Sequence, residues 1–182
     1  MVKDHLQSEI VRILDLYEEL FKQHDFNKAG DIYRIFMYQV LKKLTKDETI
    51  FKQIVDELLF LHDKPHVQIE IASEAIGKDY RREEAIEILE KIATWTPEMT
   101  IQSVNGKNCN TAQHRLQNLL GYSYDTTNQT WERPEKIEIT SIYQKFFDDR
   151  AKNGINVSDQ RVGFTTNEHQ IQISEITAIY VN

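Results

Sequence analysis

The sequence predicts a mainly α protein, a stack of amphipathic helices over the first ~95 residues followed by a small mixed α/β region with one or two β-hairpins. Three observations predict it. Apolar residues recur at spacings of three and four from Leu6 to Ala93. Around Pro97 the texture turns polar and turn-rich. Beyond it, short alternating stretches are separated by hairpin-type turns. The chain of 182 residues therefore divides into a helical part, 1–97, and an α/β part, 98–182, either as two domains or packed as one unit.

The first helix carries Leu6, Ile10, Ile13, Leu14, Tyr17, Leu20 and Phe21 on one face. A second is expected from Gly30-Asp31, with Asp31 as N-cap and Ile32, Ile35, Phe36, Val40 and Leu44 inward. The third starts at Asp47 and buries Ile50, Phe51, Ile54, Val55, Leu58 and Leu59. His62-Asp63-Lys64-Pro65 breaks the pattern, and Pro65 suits the first position of the fourth helix. That helix turns Val67, Ile71, Ala72, Ala75 and Ile76 inward, with Gly77 near its end. The fifth runs from Arg82 to Trp95 on Ala85, Ile86, Leu89, Ile92 and Ala93. Short connections make such neighbours antiparallel.

After the turn-rich stretch 104–110, a short helix is expected over Thr111–Leu120. Tyr122–Trp131 reads as a hairpin whose four turn residues, 126–129, set Tyr124 opposite Trp131. A helix over 139–152 carries Ile142, Tyr143, Phe146 and Phe147 and stops at Asn153-Gly154. The end of the chain alternates at Val162 and Phe164, Ile171 and Ile173, and Ile179 and Val181, which predicts strands.

Composition narrows the function classes. Hydrophobic residues at 40% and charged residues at 28% are globular values and exclude a disordered or low-complexity chain. One cysteine, Cys109, allows no internal disulfide and suits a reducing compartment. The first residues lack the apolar core of a secretion signal, and no apolar run approaches the ~18 residues of a membrane span, so the expected location is the cytoplasm. Net charge is −7, with −6 of it in residues 1–100. Such a surface repels nucleic acid and attracts basic partners.

No motif carries chemistry. His62 and His66 flank Asp63, but Pro65 places one in the turn and the other in the first helical turn, so they read as a polar turn rather than a metal site. Cys109 precedes the expected helix at Thr111, yet a lone cysteine with His114 nearby does not make a nucleophile and base. Adjacent carboxylates at Glu83-Glu84 and Asp148-Asp149 diverge rather than converge. With six glycines there is no phosphate-cradling loop, and neither a cofactor nor catalysis is predicted. The candidate partner-binding residues are two acidic rows expected to face solvent, Glu70 and Glu74, then Glu83, Glu87 and Glu90, with Lys78 and Lys91 at i, i+4 spacing. Tyr122, Tyr124 and Trp131 are aromatic candidates for the same role.

The stretch Leu61–Ile76, with its Asp-x-Pro turn, following valine and packed alanines, resembles a HEAT-type repeat, and Glu84–Ala93 is similar to the second helix of small bacterial HEAT-like proteins. Several such families are immunity proteins of toxin systems. The resemblance implies a HEAT-like helical stack and a protein that binds and neutralises a cognate bacterial toxin, in the first reading a basic nuclease domain. It carries over no site residue. Two other readings stand beside it. One is a helical-repeat adaptor for another protein. The other is a DNA-binding regulator acting through the helix and hairpin of 111–133.

Overall fold

The computed structural model describes residues 2–94, 104–128 and 130–152. The protein is mainly helical, and the described residues include a two-stranded antiparallel sheet. Helix α1 spans Val2–Lys22, and α2 (Phe26–Ile35) continues through a π-helical turn (Phe36–Val40) into α3 (Leu41–Leu44). Then come α4 (Glu48–Leu58), α5 (Pro65–Gly77), α6 (Arg82–Ala93) and α7 (Val104–Leu120). Strands β1 (Ser123–Asp125) and β2 (Thr130–Glu132) precede α8 (Ser141–Lys152). The five amphipathic runs before Pro97 thus match five helical segments, the second being α2, the π turn and α3 in series. Among the described residues no strand lies before Ser123. No helix among them is long and apolar enough to cross a membrane. Trp95, the stop at Asn153-Gly154 and the strands expected between Val162 and Val181 lie outside the described residues.

The element ends follow from local chemistry. The Asp47 carboxylate accepts the N–H groups of Thr49 and Ile50, each at 3.0 Å, at the expected start of α4. Pro65 opens α5 as predicted. Asp31 is not an N-cap. The cap is Asp25, whose carboxylate accepts from the Lys28 N–H, and Gly30 sits inside α2 without ending anything. Asp31 is buried instead and binds Arg34 at 2.8 Å. The turn-rich reading of 104–110 is likewise overturned, because α7 begins at Val104. Cys109 is therefore inside a helix and buried, its thiol donating to the Ala93 carbonyl at 3.4 Å, rather than placed before a helix N-terminus. α7 ends at Gly121, whose φ of 74 lets its own N–H and that of Tyr122 return to the Gln117 and Leu116 carbonyls.

Packing divides the chain after Ile54, within α4, and again after Asp148, within α8. In the first unit α1 packs on α2 and on the π turn, and Ile10, Ile13, Leu14, Ile32, Ile35 and Phe36 are fully buried. The second unit, Val55–Asp148, is built on three mutually packed helices, α5, α6 and α7. Its core includes Val67, Ile71, Ala72, Ile86, Leu89, Ala112, Leu116 and Leu119. The expected break at residue 97 falls inside this unit, because the face of α7 carrying Ala112, Leu116 and Leu119 is apolar at helical spacing and seats on α6. Gln113 adds a hydrogen bond to the Ala93 carbonyl at 3.1 Å, so α7 satisfies a carbonyl that the end of α6 leaves open.

Candidate functional site

The second unit also carries the charge. Residues 55–148 hold sixteen acidic and ten basic side chains, a net of −6, whereas residues 1–54 hold nine of each. Where those acids point decides which can meet a partner.

Glu70 and Glu74 do not face solvent. Both are buried, at 5% and 2% exposure, because α5 is covered from Val67 to Ile76. Glu70 accepts from Arg115 of α7, whose Nη2 stands 3.1 Å from each carboxylate oxygen, and Arg115 Nη1 also donates to the Tyr143 hydroxyl at 2.7 Å. This network ties α5, α7 and α8 together inside the unit. Gly77, at the end of α5, lies under the Phe147 ring, where an added Cβ would stand 2.9 Å from the ring.

The expected row on α6 splits. Glu83 is exposed and pairs with Arg133 at 3.0 Å, and Glu90 accepts the Tyr122 hydroxyl at 2.6 Å. Arg82 donates to the Ile137 carbonyl at 2.9 Å. Two of the expected acids thus hold the chain that follows α7. Tyr122 is buried in this contact and is not available to a partner. Its burial, then the Glu90 carboxylate, push its phenol pKa well above the ordinary tyrosine value. Tyr124 and Trp131 pair across the hairpin in the predicted register, ring centroids 5.1 Å apart. The Tyr124 ring is exposed and the Trp131 ring half-buried, so the ribbon presents aromatic surface.

Glu87 faces another feature. Between the α4–α5 connection and the outer face of α6 lies a groove of about 380 Å³. One wall is Phe60, His62, Pro65 and Gln68, and the other is Glu84, Glu87, Ile88, Lys91 and Ile92. Gln68 is buried and donates to the Leu59 carbonyl at 2.8 Å, which holds the connection against α5. Phe60 stays 40% exposed. The Arg81 guanidinium lies over its ring at 5.7 Å, with Nε donating to Asp56 at 2.5 Å and Nη1 to Glu84 at 3.2 Å. Tyr80 donates to the same Asp56 carboxylate at 2.9 Å. Burial alone would raise the Asp56 carboxyl, but the hydrogen bonds from Arg81 and Tyr80 outweigh it and hold it below the usual range. Arg81 stands in left-handed backbone, φ 48, a conformation costly for a non-glycine residue and held here by this cluster.

Glu83-Glu84 diverge as expected, one to Arg133 and one to Arg81. His62 lies in the turn, on the groove wall, and His66 in the first turn of α5. Sequence reasoning missed Phe60, Arg81 and Ile88. The signal for two of them was an apolar or aromatic side chain off the buried stripe, Phe60 after Leu59 just past the end of α4 and Ile88 between Ile86 and Leu89, whereas Arg81 carried no such signal. No family model, no curated protein and no solved structure matches this chain.

Proposed function

We propose that this chain is a protein-binding inhibitor of the immunity type, which blocks a basic protein partner by seating it on the groove between the α4–α5 connection and α6. The toxin nuclease of the first reading is the partner class this best accommodates. The observation that carries the reading is the groove itself, which an exposed aromatic side chain, Phe60, lines together with Glu87, in the part of the chain that carries a net −6. Aromatic anchors in partly formed pockets dominate protein interfaces, and a net opposite charge raises the rate of encounter. The DNA-binding reading is less well supported by the geometry. Two cations of the 111–133 segment are engaged internally, Arg115 with Glu70 and Arg133 with Glu83, which leaves little to grip phosphates.

The test pairs capture with inhibition. Wild-type protein and the Phe60→Ala variant are used to capture partners from the source cells, and the captured protein is assayed alone and in complex. The reading expects a basic partner whose activity is lost in the wild-type complex, with capture weakened at least tenfold by Phe60→Ala while the variant keeps its denaturation midpoint. A partner that remains fully active in the complex supports the adaptor reading instead. Capture that is indifferent to Phe60→Ala moves the site off the groove, with Tyr124 and Trp131 as the next surface to vary.

A further inference from the structure

The acids of α6 are not equivalent. Glu83, Glu84 and Glu90 are each engaged, by Arg133, Arg81 and Tyr122. Glu87 and Lys91 are different. Both are exposed, both line the groove, and neither makes an ion pair with any described residue. They stand four residues apart, about 6 Å along the helix axis, a spacing at which glutamate and lysine often pair. Here they stay apart, with the half-buried Ile88 and buried Ile92 beside them and Phe60 and Pro65 across the groove. With Glu84 engaged by Arg81, the groove therefore offers Glu87 as anion and Lys91 as cation, about a helical turn apart, along an apolar floor.

We propose, resting on the partner-binding reading above, that this groove takes a helical segment of the partner carrying one cation and one anion four residues apart with an apolar side chain between them. The cation meets Glu87, the anion meets Lys91, and the apolar side chain packs on Phe60 and Ile88. The net charge of the surrounding residues and the local charge order do separate jobs. The −6 of residues 55–148 attracts a basic protein from a distance. At contact, a second cation on the docking segment is repelled by Lys91, so a purely basic segment fits worse than a mixed one.

Three helical alanine-based peptides test this. Each carries a Leu flanked by two charges four residues apart, as Lys and Glu, Lys and Lys, or Glu and Glu. Binding is followed by NMR shifts on the full chain at low salt, up to millimolar peptide. Wild type should prefer the mixed peptide by about two- to fivefold per matched charge. Lys91→Glu should move the preference to the Lys–Lys peptide, and Glu87→Lys to the Glu–Glu peptide. Phe60→Ala should weaken all three without reordering them. One ranking shared by wild type and both charge variants, with binding still dependent on Phe60, overturns the charge order but leaves the groove as the docking site. No binding of any peptide to wild type, or binding unaffected by Phe60→Ala, overturns the groove reading and this inference together.

Discussion

Glu70 and Glu74 on α5 and Glu83 and Glu87 on α6 are the same side chain at the same four-residue spacing, yet the first pair is buried and the second exposed. The difference lies in how many sides of each helix are covered. α5 is packed against both α6 and α7 and buries every residue from Val67 to Ile76. α6 buries the stripe Ala85, Ile86, Leu89, Ile92 and Ala93 and leaves a face to solvent. An acid carried inside with its helix needs a countercharge, and Glu70 takes one from Arg115, 45 residues along the chain. An acid on an open face is left to water, to a neighbouring loop or to a partner. Periodicity reports which residues share a face, not how many faces a neighbour will cover.

The largest expected effect is at the buried pair. Glu70→Ala removes the carboxylate from a largely covered ion pair, leaving Arg115 without that countercharge, and stability should fall by about 3–5 kcal/mol. The urea midpoint reads it, and Arg115→Met in the Glu70→Ala background should restore a large part of the loss. A fall below 1 kcal/mol would mean that α5 opens easily to solvent, and the contrast with α6 would disappear.

Next is Tyr122, which joins the open side of α6 to the chain after α7. Removing its hydroxyl with Tyr122→Phe gives up a hydrogen bond to a carboxylate, and about 1.5–3 kcal/mol is expected from that class of bond. The phenol also has a pH signature. Its pKa is raised in the folded protein, first by burial and then by Glu90. Its contribution is therefore complete below the unfolded tyrosine pKa of about 10 and declines as pH rises above it. Chemical denaturation between pH 8 and 11 should show a fall in stability that is shallower in Tyr122→Phe. Equal slopes would place the tyrosine outside this contact.

The hairpin should matter less. Trp131 is only half-buried and its partner Tyr124 is exposed, so the pair is a surface cross-strand contact. Trp131→Ala should cost about 0.2–1 kcal/mol, the range for such pairs, rather than the several kcal/mol of a core aromatic. A loss above 3 kcal/mol would make the ribbon part of the core. The smallest effect is at Glu87. Glu87→Lys should change stability by no more than about 0.5 kcal/mol, because the side chain is exposed and pairs with nothing described. In a binding assay the same substitution should slow association and reduce its salt dependence. A change in folding with no change in binding reverses the roles assigned to α5 and α6.

Much of this molecule was determined by its sequence. The helix runs, the start of the third helix at Asp47, the proline start of α5 and the pairing of Tyr124 with Trp131 were all legible, because each depends on residues within a turn or two of one another. One burial signal was there too: Ile69, off the inward face read for the fourth helix, makes α5 apolar on more than one side. Local composition misled at 104–110, where asparagines and a glycine read as turn, although packing of the following apolar stripe on α6 extends the helix through them. Ile142 was expected inward and stands 77% exposed, its neighbours Tyr143 and Phe147 meeting Arg115 and Gly77 in its place. Tertiary structure alone decided that Glu70, Glu83 and Glu90 are engaged, by Arg115, Arg133 and Tyr122, and that Glu87 faces a groove. Hydrogen bonds and ion pairs between residues tens of positions apart are set by how helices pack, and no local spacing encodes them.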